Sequence, residues 1–253
     1  MITKFRWLQV LLLVMAVLFS PLFQAGSAQQ AAPLVLVLQA DGPVSSAMAD
    51  YLDRGLRTAE RQGAEAIVFE LNTPGGSLDI MNRMVQSIRN SPVPVIVYVA
   101  PRGAMAGSAG TLITLAGHVA AMAPETTIGA ASPVGGQGEE LGESIEAKLK
   151  EITMATVRSL AERRPPEAIK LAEETISSAR AVSSSEALQV GLIDFIAGDT
   201  AELLELVDGF EVFLAQGTRV LNTSEAQIEA LPYTFIENLL LVLTDPNIIR
   251  SEK

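Results

Sequence analysis

Beyond residue 32 the apolar positions of the chain follow two rhythms in turn. Short apolar runs occupy residues 34–38, 66–71, 94–99 and 119–122, interrupted only by Glu70, with Pro33, Asn72 and Pro124 among the breakers beside them. Between them the apolar residues recur every three or four positions. Met48, Leu52, Leu56 and Ala59 do so within 44–62, which ends at Gly63; Leu78, Met81, Val85 and Ile88 do so within 77–89. Residues 108–118 form a third, largely apolar helical stretch. Uninterrupted apolar runs suit strands covered on both faces, and the three-to-four spacing suits helices with one buried stripe. Strand and helix in strict alternation predict parallel βαβ units with right-handed crossovers, an α/β fold.

The second half is less regular. Residues 132–142 are rich in Gly, Pro, Ser and Glu and predict an exposed, mobile loop. A long helix over 143–164 follows, with Ile145, Leu149, Ile152, Ala155, Val157 and Leu160 as its apolar positions, stopped by Pro165-Pro166. Helices over 168–174, 184–190 and 200–208, a strand over 192–197 and a hairpin over 211–220 around Gln216-Gly217 complete the pattern. Residues 233–249 are apolar but broken by Glu237, Asn238, Asp245 and Pro246. They predict an amphipathic helix or the approach to a membrane, from a chain cut short of a longer membrane region.

At the other end, Lys4 and Arg6 precede an almost unbroken apolar run over 7–23 and the small residues Ala25-Gly26-Ser27-Ala28. This is the layout of a signal peptide, the alternative being an uncleaved anchor. The chain thus divides into a signal peptide over 1–28, an α/β domain over 29–210 and a C-terminal extension over 211–253. Export places the domain in the periplasm or on the extracytoplasmic side of the membrane, with membrane anchoring as an option.

Composition narrows the function. Eighteen Lys and Arg against 29 Asp and Glu give a formal charge of −11, with no basic cluster to neutralise phosphates, which argues against nucleic-acid binding. There is no Cys and only one His, so thiolate chemistry and multi-histidine metal sites are excluded, and no cofactor or metal is expected.

In a parallel sheet, ligands gather beyond the carboxyl ends of the strands. Two small-residue clusters leave those ends: Asn72-Thr73-Pro74-Gly75-Gly76, and residues 103–110, Gly-Ala-Met-Ala-Gly-Ser-Ala-Gly. Successive glycines let N–H groups share a hollow, as an oxyanion hole requires. Ser108, at a strand–turn–helix junction, could be a nucleophile or simply a helix cap. His118 lies ten residues further along the same helix, about 15 Å away, too far to serve as its base. Lys148 or Lys150 could serve instead, if burial favours the neutral amine. Ser77, Ser132 and Ser144 are read as caps or loop residues.

Thr-Pro-Gly-Gly at 73–76, Gly-Ser-Ala-Gly-Thr at 107–111 and Met-Ala-Pro-x-Thr-x-Ile-Gly at 122–129 together resemble the NfeD family. So do Ser-Leu-Ala-Glu-Arg-Arg at 159–164 and Glu-Ala-Leu-x-x-Gly-Leu-Ile-Asp at 186–194. Members are membrane-associated serine proteases of the Clp-peptidase class, also called stomatin operon partner proteins. The resemblance, from about Leu34 to Ile196, implies a Clp/crotonase-like fold of repeated ββα/βαβ units, with a parallel sheet and flanking helices. It implies a Ser–Lys dyad with Ser108 as nucleophile and Lys148 as base. The oxyanion donors would be the N–H groups of Gly76 and Ala109, with Gly75 as a third. Ala131 would stand where Clp peptidases carry a histidine. The implied substrates are apolar segments of membrane-associated proteins, with a stomatin- or prohibitin-like partner, and a homo-oligomer is expected. A non-catalytic envelope module of the same fold is the alternative, and an enzyme acting on acyl-coenzyme A a more distant one. Arg164-Pro165-Pro166 departs from the Gly-Arg often found in the family at this point.

Overall fold

The computed structural model describes residues 32–133 and 142–244. The expected signal peptide, most of the 132–142 loop and the last residues of the C-terminal segment lie outside the described residues. Eleven strands and eight helices are described. The strands are β1 (Leu34–Asp41), β2 (Ala66–Asn72), β3 (Val95–Val99), β4 (Met105–Gly107), β5 (Val119–Met122), β6 (Thr127–Gly129), β7 (Ala181–Ser183), β8 (Phe195–Ile196), β9 (Glu211–Leu214), β10 (Gly217–Val220) and β11 (Gln227–Ala230). The helices are α1 (Ser46–Gln62), α2 (Leu78–Arg89), α3 (Ala109–Ala116), α4 (Glu143–Leu160), α5 (Pro166–Ser177), α6 (Ser184–Val190), α7 (Thr200–Leu206) and α8 (Phe235–Thr244).

Six strands form one parallel sheet in the order β11-β1-β2-β3-β5-β8. Its centre is made of the apolar runs seen in the sequence, and every residue of β3 is buried. Alternate residues serve opposite faces. Leu36, Leu38, Ile67, Phe69, Leu71, Val97 and Val99 join the larger core, with α1 to α6. Val35, Val37, Val68, Ile96 and Tyr98 join the second core, with Leu203, Leu204 and Val207 at α7 and the adjoining Val212 and Leu221. Helix ends follow local chemistry. Ser45 and Ser77 cap α1 and α2 through their hydroxyls, and Gly63 and Gly191 close α1 and α6 in the left-handed conformation.

Three features depart from the sequence reading. The small-residue cluster over 103–110 holds a strand, β4, in a second small sheet with β6 and β7. Strands of three residues are too short for a period of two to be visible. The long helix ends at Leu160 rather than Arg164, because residues 161–164 tighten into a turn, with Arg164 N–H donating to Ala161 C=O at 2.8 Å ahead of Pro165. Finally, the expected extension is not separate from the sheet. The hairpin is present as β9 and β10, but β11 then pairs in parallel with β1 and becomes the sheet's edge. All four residues of β11 are exposed, so no apolar pattern marked it.

The C-terminal segment is fastened to α1 by polar contacts. Tyr51 stacks on Tyr233 with ring centroids 3.7 Å apart, and its hydroxyl donates to Leu231 C=O at 2.6 Å. Arg54 grips Glu237 with two bonds, at 2.8 and 2.7 Å, and also donates to Pro232 C=O. The guanidinium holds the Glu237 carboxyl below its usual range, and Glu237 is only 8% exposed. The charge that broke the apolar pattern is therefore the residue that docks α8. Phe235, Ile236, Leu239, Leu240 and Leu243 are exposed on this helix. Glu237→Ala leaves the Arg54 guanidinium without its carboxylate. It should lower stability in urea unfolding by about 1–3 kcal/mol and expose the 231–240 segment to limited proteolysis.

Candidate functional site

The turn after β2 and the segment around β4 lie against each other at the carboxyl end of the sheet. Thr73 N–H donates to Met105 C=O at 2.8 Å, and Gly107 N–H donates to Thr73 C=O at 2.9 Å, so the two backbones form a bridge. The approach is close enough to require glycine. A Cβ on Gly107 would lie 3.0 Å from Pro74 C=O, and one on Gly110 would lie 2.6 Å from the Thr73 methyl. Gly76 is bracketed by two bonds, Val44 N–H to Gly75 C=O and Ser77 N–H to Val44 C=O, and a Cβ there would lie 2.4 Å from Val44 O. In such a parallel bridge the bracketed residue turns its own N–H away from the neighbour that holds it.

Ser108 lies between β4 and α3 with φ 50° and ψ −116°, a backbone conformation that L-residues rarely adopt. The conformation is held from both sides. Ser108 N–H donates to Gly129 C=O at 2.9 Å, and Ser108 C=O accepts from Thr111 N–H at 3.0 Å. Its hydroxyl makes no capping bond to α3, so the cap alternative is removed for this residue. The side chain instead lies over Gly75, where an added Cβ would meet Ser108 Cβ at 2.6 Å and Oγ at 3.1 Å. Gly75 itself has φ 116°, a second reason for glycine there.

The expected N–H donors differ in availability. The Gly75 N–H is committed to Thr73 Oγ1 at 3.1 Å. The N–H groups of Gly76 and Ala109 have no hydrogen-bond acceptor among the described residues, and Ala109 opens α3, where helical N–H groups lack internal partners. Thr111 was not singled out in the sequence, yet it ties the site together. It is fully buried; its Oγ1 lies 3.0 Å from Ala106 C=O and 3.1 Å from Gly129 C=O, and accepts the Gly129 N–H at 3.1 Å. It thereby joins the ends of β4 and β6 to the first turn of α3. Its signal in the sequence was a hydroxyl within an otherwise apolar helix.

The lysines are not brought to Ser108 by a hydrogen bond. Lys148 is exposed on α4 and makes no ion pair among the described residues. Lys150 is half-buried and paired with Glu146 at 2.8 Å. Ile145 and Ile152, which share a helical face with Lys148, are 56% and 63% exposed. Ser77 is a cap, Ser132 donates to Ile176 C=O at 2.6 Å, Ser144 is exposed, and Ala131 is buried with its N–H on Thr175 C=O. His118 stands at the opposite, amino end of the strands, its Nδ1 accepting the Val95 N–H at 3.0 Å. Burial, and after it the charge of Arg89, lower its pKa to about 4.

Two outcomes are expected from this geometry. Thr111→Val keeps the shape but removes the hydroxyl that serves Ala106 C=O and the Gly129 N–H, and should lower stability in urea unfolding by about 1–3 kcal/mol. His118 is neutral in the folded chain and takes up a proton more readily when unfolded. Its contribution to stability is complete above about pH 6.5 and is lost as pH falls towards about 4. Relative to His118→Asn, the wild-type chain should therefore lose up to about 3 kcal/mol across that window in pH-dependent unfolding.

Comparison with known proteins follows the same lines. Residues 34–212 match the family described as NfeD1b, N-terminal domain. A membrane-bound protease of Pyrococcus horikoshii is 40% identical over 219 residues, which is 85% of this chain and 49% of that protein. The membrane protein NfeD1b of Bacillus subtilis is 29% identical over 225 residues, 85% of this chain and 47% of its own. The chain thus spans about half the length of these curated relatives. Among solved structures, a lysine-to-alanine variant of a membrane-bound stomatin-specific protease, in complex with a substrate peptide, superposes with a TM-score of 0.76 at 36% identity. That match covers 85% of this chain and 99% of the other. A peptidase of the Clp type, ClpP1 from Listeria monocytogenes, superposes with a TM-score of 0.53 at 17% identity over 64% of this chain and 91% of its own, a likeness of fold alone. The mixed α/β architecture, the two glycine-dependent loops and these matches agree, and the chain belongs to the NfeD family, through its N-terminal domain.

Proposed function

We propose that this chain is a serine endopeptidase in which Ser108 is the nucleophile and Lys148 its base. The observation that carries the reading is the strained Ser108, which does not cap α3 and lies over Gly75, beside the N–H groups of the neighbouring residues Gly76 and Ala109, which have no acceptor among the described residues. In the first step the Ser108 Oγ–H proton passes to a neutral Lys148 amine as Oγ bonds to the substrate carbonyl carbon. The carbonyl electron pair moves to its oxygen, which the N–H groups of Gly76 and Ala109 receive. The intermediate then collapses: the C–N bond breaks and the lysine ammonium gives its proton to the leaving amine. Water repeats the sequence on the acyl-enzyme and restores the Ser108 hydroxyl. Gly75 contributes room for the Ser108 side chain rather than a donor, since its N–H is already bonded.

Solved relatives support the residue types. A serine-to-alanine variant of the stomatin-specific protease has been determined, besides the lysine-to-alanine variant that holds a substrate peptide. By the same likeness the substrates are apolar segments of stomatin-like membrane proteins. Lys148 needs a drier setting than a single chain provides. Its helical face, with Ile145 and Ile152, is covered in a homo-oligomer or by the apolar substrate itself, and loss of water there favours the neutral amine. Lys150 is the poorer candidate because Glu146 engages it. Export through residues 1–28 puts this chemistry on the extracytoplasmic side of the membrane.

A serine-directed fluorophosphonate, followed by intact mass, tests the assignment. One adduct is expected on the wild-type chain and on Lys150→Ala, and none on Ser108→Ala or Lys148→Ala, all three variants retaining the circular dichroism of the wild type. Labelling that persists in Ser108→Ala would overturn the nucleophile. Absence of labelling in well-folded wild-type protein across a pH series would favour a non-catalytic envelope module.

A further inference from the structure

The amino end of the sheet, opposite Ser108, has its own polar chemistry, independent of the peptidase reading. A cavity of about 190 Å³ lies there, lined by Arg89 at the end of α2, Leu115 in the last turn of α3, His118 after it, Arg163 and Arg164, Asp194, and residues of the 210–213 segment. From this geometry we infer that the cavity is a binding site for a small oxyanion, a carboxylate or phosphate group, held by Arg89, Arg163 and the Nε2–H of His118.

The inference begins with the histidine. A ring nitrogen that accepts a backbone N–H carries a lone pair, so the Val95 bond to Nδ1 fixes the imidazole proton of the neutral ring on Nε2. Nε2 is buried and has no hydrogen-bond partner. A buried donor without an acceptor is unfavourable, and native interiors rarely keep one without a use for it.

Arg89 is the second observation. It is partly buried, yet no carboxylate among the described residues lies within ion-pair distance of it. Elsewhere in the chain the partly buried arginines are satisfied: Arg54 by Glu237, and Arg164 by Asp194. Arg163 also lacks a carboxylate and stacks on the Phe213 ring at 4.3 Å, which fixes its guanidinium beside the cavity. All three groups line the same cavity. Burial and then the charge of Arg163 lower the Arg89 pKa, against the opposing charge of Glu162, and Arg89 in turn lowers that of His118. Three donors on one cavity, none with an ion-pair or hydrogen-bond acceptor among the described residues, match an oxyanion, which offers acceptors in several directions and balances the two guanidinium charges.

The acidic residues around the cavity do not fill this need. Asp194 is held by Arg164 and by the Ala120 N–H. Glu162 and Glu211 are exposed and make no ion pair with Arg89 or Arg163. The volume suits a single phosphate- or carboxylate-sized group with a few waters rather than a peptide.

The single histidine makes the test direct. In the full chain labelled with ¹⁵N, the imidazole correlation spectrum contains one residue's signals. Inorganic phosphate and acetate are titrated in separate arms at constant ionic strength against chloride. A saturable shift of the Nε2 resonance with either probe is expected, and the arm that saturates at lower concentration names the preferred group. Arg89→Gln should weaken that binding by about tenfold or more while leaving the Nδ1 bond to Val95 and the backbone spectrum intact. Arg163→Gln, at a more exposed position, is the second variant and should weaken it as well. No saturable shift with either anion would overturn the inference, as would an unchanged titration in both variants.

Discussion

Everything at the candidate site depends on two loops of main chain touching without side chains between them. Thr73 exchanges backbone bonds with Met105 and Gly107, and this contact is open only because Gly75, Gly107 and Gly110 carry no Cβ. The sheet supplies the pressure. β2 and β3 are adjacent and parallel, so the turns that leave them emerge side by side, and β4 falls back onto the first turn. Ser108 is then trapped between Gly129, which holds its N–H, and the start of α3, which holds its carbonyl. Strain at one residue is tolerable when so many neighbouring bonds would have to break to relieve it.

How much of this could be read from the residues follows from the range of each signal. The central strands, β1, β2, β3 and β5, were legible because burial on both faces writes itself as an unbroken apolar run. Helix ends were legible where Ser or Gly acts locally, as at Ser77 and Gly191. The glycine clusters and Ser108 were visible as unusual groupings, and the order of five motifs pointed to the family. Strand β11 was not legible. Its four exposed residues join the sheet through backbone bonds, which any sequence can make, and its partner lies far away in the chain. Thr111 was passed over because its function is fixed by what faces it, the ends of β4 and β6, and neither strand is long enough to announce itself.

The lysines illustrate a different limit. Spacing along α4 separates the faces of Lys148 and Lys150, and the structure adds that one is paired and the other free of ion pairs among the described residues. Neither observation concerns the environment that matters for a neutral amine, which depends on what lies against that helical face. In the proposed peptidase, a nucleophile built by its own chain, with a base that awaits a covering surface, separates the formation of the site from its activation. His118 shows the converse. The lone histidine, the obvious base by residue type, is placed at the amino end of the strands by the length of α3, on a cavity that Arg89 and Arg163 also line.

The pairing of β11 with β1 also governs the order in which the domain can be completed. β1 is among the first segments made, and β2 can join it early, but its other edge is covered only when residues 227–230 arrive. Contacts between such distant segments form slowly, because a long loop must close before they are rewarded. A chain that emerges N-terminus first therefore carries an open, apolar strand edge through most of its synthesis, the kind of edge that pairs with the wrong chain. The lock made by Arg54 and Glu237 closes over the same region immediately afterwards. Completion of the sheet and fastening of the tail are thus a single late event, and holding back the last residues would keep the whole domain unfinished.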